Sequence, residues 1–283
     1  MMGRTPRIVL VAALALAAFG ARADDWIGQI QATAAPYEEI VHVAVRQGVD
    51  EPMLLSMASK DQKPKRIVML FPGGDGIMQI QQKARGKWFH LWGNYLIRTR
   101  AQFVDAEDIA VSVDMPNDEY CCANDRFRLG ERHASDVGAI MAALAARFPG
   151  AEFYLVGTSK GTVSAAALGA RLGPKVAGVV LTSTVMQSMR DGSGLSIFDF
   201  GTLKVPALFV HHQSDHCRAS PYYAVAKLVQ ERHFPLITVT GSEGAHGPDC
   251  QAYAPHGYAG REKQVAAAIM QWVKTRAVAP TIQ

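Results

Sequence analysis

The chain has 283 residues, 49% hydrophobic and 19% charged, with a formal net charge of +4 at pH 7. Three of its arginines, Arg4, Arg7 and Arg22, lie in a leader-like N-terminus; the rest is within about one charge of neutral and offers no basic footprint for nucleic acid or an anionic membrane. No later stretch has the roughly 18 uninterrupted apolar residues of a spanning helix, and the remaining length of about 260 residues suits one α/β domain.

In chain order, Arg4 and Arg7 precede an uncharged apolar run from Ile8 to Phe19, and Ala21-Arg22-Ala23 follows. This is the pattern of a secretory signal peptide with an AxA cleavage site. The expected organisation is a signal peptide over 1–23 and a single domain over 24–283, in the periplasm or outside the cell. Export permits disulfides between Cys121, Cys122, Cys217 and Cys250. No CxxC pair or histidine triplet has metal-ligand spacing, so no metal or cofactor is expected.

Glu39 to Arg46 and Met53 to Ser59 are short β-like runs separated by Gly48, Asp50 and Pro52, which predicts an N-terminal antiparallel hairpin. Arg66 to Phe71 is a continuous apolar strand ending in Pro72-Gly73-Gly74-Asp75-Gly76, Asn94 to Phe103 reads as helix, and Asp108 to Asp114 as a strand. After an irregular loop, Val137, Ile140, Met141, Leu144, Ala145 and Phe148 recur at helical spacing until Pro149-Gly150 stops them. Strands then follow at Glu152 to Val156, Val176 to Thr182, Ala207 to His211 and Leu236 to Thr240. Helices are expected after Ser159, from about Ser220, and where Val265, Ile269, Trp272 and Val273 share one face. Uniformly apolar strands alternating with helices predict a mainly parallel sheet covered on both faces.

In such sheets the chemistry gathers at the carboxyl ends of the strands. There the chain places Gly157-Thr158-Ser159-Lys160-Gly161 between a strand and a helix. This is the pattern of a nucleophile elbow, a turn so tight that glycines must flank the serine, with the hydroxyl held at a helix N-terminus. Serine needs a base to remove its proton and an acid to orient that base. Asp215, just past the strand Ala207 to His211, is the first choice for the acid; Asp191 and Asp199 in the preceding loop are rivals. The base is His256 or His246, each followed by glycine and each in the loop before the last helix. One oxyanion donor is expected from the backbone N–H of Lys160.

The ordered set Phe71-Pro72-Gly73-Gly74-Asp75-Gly76, Gly157-Thr158-Ser159-Lys160-Gly161, His212-Gln213-Ser214-Asp215 and His256-Gly257-Tyr258 resembles the α/β-hydrolase superfamily, in particular small exported bacterial esterases and dienelactone-hydrolase-type proteins. The resemblance spans nearly all of the chain beyond the signal peptide. It implies an α/β-hydrolase fold with a small cap or none, and a Ser159, Asp215, His256 triad with His246 as the runner-up base. It also implies Gly74 as the second oxyanion donor and a small-molecule acyl substrate cleaved at a carboxylic ester or related bond. Acyl transfer, thioester or peptide cleavage, and a silent binding protein on the same fold are the alternatives, because no motif is specific to a substrate.

Cys217 stands two residues after Asp215 and Cys250 lies in the histidine loop, so a bond between them would draw that loop onto the acid; Cys121 and Cys122 then pair with each other or stay reduced. His211 and His212 are read as packing or supporting groups, and His133 with Asp136 as part of a helix start and surface network. Trp88, Phe89, His90 and Trp92 line a pocket mouth or are ordinary packing. The segment from Val185 to Lys204 is long enough for a small cap.

Overall fold

The computed structural model describes residues 29–121, 123–189 and 192–283; the expected signal peptide, Cys122 and Asp191 lie outside the described residues. A nine-stranded sheet organises the chain, built from β1 (Tyr37–Arg46), β2 (Val49–Met57), β3 (Arg66–Phe71), β6 (Asp108–Val113), β7 (Glu152–Thr158), β8 (Gly178–Thr182), β9 (Ala207–His212), β10 (Leu236–Val239) and β11 (Thr281–Ile282). Their order is β1-β2-β6-β3-β7-β8-β9-β10-β11. β1 and β2 form the expected antiparallel hairpin, β2 pairs antiparallel with β6, and every pairing from β6 to β11 is parallel. A short ribbon, β4 (Gln81–Lys83) with β5 (Gly86–Trp88), stands apart from the sheet.

The uniform apolarity of the strands has a direct cause. In β3, Ile67, Met69 and Phe71 point into one core, and Val68 and Leu70 into another. The first core is closed by α3 (Glu131–Arg147), α4 (Gly161–Leu172) and α5 (Tyr222–Arg232), and the second by α1 (Tyr95–Arg98) and α6 (Glu262–Thr275). A strand covered on both faces has no position left for a polar residue, so its pattern is continuous rather than alternating.

Several expectations shift. Asn94 to Phe103 is helical in two pieces: α1, whose first turn is capped by the Asn94 side chain, and a 3-10 turn at Arg100–Phe103. The loop before α3 contains a one-turn helix, α2 (Asp125–Arg128). Ala145, counted in the apolar stripe of α3, faces solvent, while Val137, Ile140, Met141 and Leu144 are buried. His133 and Asp136 are not on the surface: both are buried, His133 between Phe71 and Phe127, and Asp136 accepting from Arg46 Nε at 2.8 Å. Burial holds the His133 imidazole neutral by lowering its pKa to about 3, with the Arg128 charge acting in the same direction.

Glu51 on β2 is wholly buried and neither of its carboxylate oxygens has a hydrogen-bond partner among the described residues. Burial, followed by the negative charges of Asp136 and Asp114, raises its pKa well above the ordinary carboxylate value. The folded state therefore favours protonated Glu51. Its contribution to stability is complete below the unfolded pKa and is lost as pH rises through the folded value. As pH rises above the unfolded carboxylate pKa, the unfolding free energy of the wild type is expected to fall more steeply than that of Glu51→Gln in urea titrations. Parallel profiles would contradict it.

Candidate active site

The turn between β7 and α4 is built by close backbone crossing. A Cβ on Gly161 would lie 2.0 Å from the Phe71 carbonyl oxygen, and one on Gly157 would lie 2.4 Å from the Gly161 carbonyl oxygen. Only glycine fits either place. Ser159 between them has φ of +52°, a left-handed conformation that costs a side-chain-bearing residue on the order of 1–3 kcal/mol. It is held there by its N–H, which donates to Thr182 O at 3.0 Å, and by its own carbonyl, which accepts from Thr162 N at 2.9 Å and Thr162 Oγ1 at 2.6 Å.

The acid and histidine lie past neighbouring strands. Asp215, 6% exposed, follows β9, and its Oδ2 accepts from His256 Nδ1 at 2.8 Å while its Oδ1 accepts from Cys217 N at 2.9 Å. His211 Nε2 lies 3.4 Å from the same Oδ2 and donates to Ser220 O at 2.9 Å. Burial pushes the Asp215 carboxyl up, but hydrogen bonds from His211 and then His256 outweigh it, and the pKa is lowered to about 2. The acid is thus a carboxylate at any physiological pH.

His256, 4% exposed, sits in a 3-10 turn (Pro255–Gly257) just before α6. Its backbone is tied down on both sides: Ser183 Oγ donates to His256 O at 2.6 Å, and Arg98 Nη2 to Gly257 O at 2.7 Å. The Tyr258 hydroxyl donates to Val210 O at 2.8 Å and accepts from Ser183 N at 2.9 Å. Thr182 and Ser183, adjacent at the end of β8, therefore anchor the serine turn and the histidine turn respectively. Among the described residues His256 Nε2 is buried and has no hydrogen-bond partner, Ser159 included. With Nδ1–H engaged by Asp215, that nitrogen is the one left to take a proton.

His246 is placed differently. It is exposed, its Nδ1 donates to Gly244 O at 2.8 Å, and its ring stacks on Tyr253 with an interplanar angle of 8°. The rival acid Asp199 caps a 3-10 turn through Gly201 N at 2.8 Å.

Ser159 opens into a cavity of about 620 Å³ whose wall includes Gly74, Asp75, Lys160 and the sulfur-bearing residues Cys217 and Cys250. A groove of about 660 Å³ adjoins it, sharing Met189 and Cys217 and reaching Asp215, but Ser159 is not on its wall. The smaller cavity is therefore the one where chemistry at the serine can take place. Both have the size of small-molecule sites. Val185, Met189 and Gly192 also line the serine cavity, so the segment after β8, long enough for a small cap, contributes to its wall. The aromatic group at 88–92 packs elsewhere: Phe89 is core, and Trp88 on the ribbon meets His90 edge-on and carries Lys83 Nζ over its ring.

Cys217 and Cys250 form a disulfide, as their positions suggested, and it joins the acid loop to the histidine loop. Cys121 is also disulfide-bonded. One set of three potential metal ligands occurs among the described residues, Asp215, Cys217 and His256, but the cysteine sulfur is committed to the disulfide. The sequence marks His211 only as a packing or supporting group, and it does not mark Ser183 or Arg128 at all. Nothing local marks a serine after a strand or an arginine at a helix end, and for His211 only its place four residues before Asp215 was a signal.

No family model and no curated protein sequence matches the chain. Solved structures do. Est1E from Butyrivibrio proteoclasticus superposes with a TM-score of 0.59 at 12% identity, covering 83% of this chain and 97% of its own. The chain has the α/β-hydrolase fold. XC6422 from Xanthomonas campestris, described as an α/β serine hydrolase without a lid, gives 0.55 at 12% identity over 86% of this chain and 96% of its own. An α/β serine hydrolase homologue from Coxiella burnetii gives 0.52 at 14% identity over 84% and 97%. At these identities the likeness concerns the fold alone.

The disulfide closes a loop of 33 residues in sequence separation. In the chain-entropy picture the double variant Cys217→Ser/Cys250→Ser should lose on the order of 4 kcal/mol of unfolding free energy. Equal urea midpoints for variant and wild type would contradict this.

Proposed function

We propose that the protein is a serine hydrolase that cleaves a carboxylic ester or related acyl bond of a small molecule. The observation that carries the reading is the Asp215–His256 hydrogen bond in the same corner of the sheet as the strained Ser159 turn, with Thr182 and Ser183 tying the two. Two further facts support it: Gly74 and Lys160 line the cavity into which Ser159 opens, and proteins described as esterases are among the structural neighbours.

In this reading Ser159 Oγ attacks the substrate carbonyl carbon as His256 Nε2 takes its proton, giving a tetrahedral oxyanion. The N–H groups of Gly74 and Lys160 stabilise that oxygen. Asp215 holds the imidazole by Nδ1 and stabilises the imidazolium. Collapse breaks the bond to the leaving alcohol, which receives the proton from His256 and departs, leaving an acyl-Ser159. Water, deprotonated by His256, then attacks the acyl carbon, and the second oxyanion collapses to free acid and serine. Atoms and charge balance without a cofactor. The disulfide and the leader-like N-terminus support an exported location, where disulfides persist.

Kinetics with p-nitrophenyl esters of increasing chain length test the reading. Ser159→Ala should abolish turnover while changing stability by less than about 1 kcal/mol, because the residue is only half-buried and lines the cavity. His256→Ala should lower kcat by about 10⁴ to 10⁶, whereas His246→Ala should stay within about threefold of wild type. Circular dichroism confirms folding. A crippled His246→Ala beside a near-normal His256→Ala would contradict the assignment of the base.

A further inference from the structure

Arg128, at the end of α2, is among the largest fully buried side chains, at 1% exposure. A buried guanidinium is expensive and is ordinarily matched by a carboxylate. Here no carboxylate of the described residues bonds it. Asp125 and Asp75 act on it only through space; Asp125 Oδ2 accepts from Gly194 N at 2.7 Å and Asp75 Oδ1 from Ile77 N at 3.0 Å. Burial lowers the Arg128 pKa to about 10, with those two acids opposing.

What the guanidinium does bond is informative. Its Nη1 donates to Ser164 Oγ at 2.9 Å, and its Nη2 donates to Asp75 O at 2.8 Å and Gly74 O at 3.3 Å. Ser164 lies on α4, the helix that Ser159 introduces, and Gly74 and Asp75 belong to the loop that supplies the candidate oxyanion donor. The third carbonyl of that loop, Gly73 O, accepts from Gly76 N at 3.3 Å. With no cis peptide present, C=O and N–H of each peptide point in opposite directions. Holding the carbonyls of Gly73, Gly74 and Asp75 to one side therefore turns the N–H of Gly74, and of Asp75 after it, to the other. Gly76 is the residue this arrangement demands, since a Cβ there would fall 2.6 Å from Arg128 Nη2.

We propose that Arg128 is a positioning residue for the oxyanion site, fastening the loop of Gly74 to the helix of Ser159 so that the donor is preorganised for charge on the substrate oxygen. This rests on reading Ser159 as the nucleophile. Arg128 touches no reacting atom; it fixes a group that does. Its three bonds run from one planar fork to two structural elements, a pattern that the point charge of lysine cannot reproduce.

The test is Arg128→Lys, which keeps the charge and removes the fork, assayed with a p-nitrophenyl ester and with a boronic acid as tetrahedral mimic. Misplacing one oxyanion donor costs about 10²-fold or more in kcat. We expect kcat to fall about 100-fold with KM within about threefold, and boronic acid affinity to fall with kcat. A folded Arg128→Lys with wild-type kcat and boronic acid affinity overturns the proposal, and so does a rise in KM at unchanged kcat. If Arg128→Lys does not fold, Ser164→Ala decides, because it frees one arm of the fork and leaves the charge in place. A several-fold loss of kcat at unchanged KM supports the proposal, and wild-type kinetics overturns it. Failure of the underlying reading looks different: wild-type protein would then neither hydrolyse the ester nor bind the boronic acid.

Discussion

The close crossing of three backbone segments at the top of the sheet is the constraint on which the rest depends. The chain leaving β7 must turn over the end of β3 so tightly that Gly161 all but touches the Phe71 carbonyl, and this proximity forces Ser159 into a left-handed conformation. Strain of this kind persists only where surroundings over-determine it. Here the surroundings are the carbonyl of Thr182 and the first turn of α4. The same crossing brings the loop after β3 against the serine: a Cβ on Gly73 would lie 2.8 Å from Ser159 Cβ. One packing requirement thus sets the serine, the helix dipole beneath it and the loop of Gly74 in mutual register.

The other half of the candidate site is fixed by different means. Asp215 and His256 come from separate loops, and loops have more freedom than strand ends. Three ties reduce it: the disulfide between Cys217 and Cys250, the Ser183 hydroxyl on His256 O, and the Tyr258 hydroxyl on Val210 O. The carboxylate is buried yet held ionised, because two imidazoles and one backbone N–H replace the water it has lost. His211 competes with His256 for the same oxygen at a longer distance, 3.4 Å against 2.8 Å, so the shorter bond orients the histidine that precedes α6.

How much of this the sequence disclosed follows from the range of each interaction. The parallel core strands were readable because burial on both faces writes itself into every position of β3 and β7 after the first, and into all of β9. The elbow was readable as a motif: Gly157 is imposed locally by Gly161 and Thr162, while Gly161 is imposed by Phe71 and Pro72 at the end of β3. Most strand ends moved by one or two residues, but β2 begins four residues before Met53 and takes in Asp50 and Pro52, expected in the turn, because pairing with β1 extends it; the two-residue β11 was missed, because so short a strand depends on pairing with β10 rather than on its own residues. His133 and Asp136 were misplaced because a polar residue on a helix looks solvent-facing until its distant partner, such as Arg46, is known. Arg128 and Ser183 left no trace, since each works by reaching elements far away in sequence. His256 and His246 were alike in their glycine neighbours; the aromatic residue after His256-Gly257 was the local difference, and it is the residue that ties that turn to β8 and β9.

The account's central claim is that Ser159 is an activated nucleophile, and covalent capture tests it most directly. Purified protein treated with an alkyl fluorophosphonate, digested and mapped by mass spectrometry, should carry one stoichiometric adduct, on the serine of Gly157-Thr158-Ser159-Lys160-Gly161. A folded protein that takes up no phosphonate, or takes it up stoichiometrically at another residue, would contradict it.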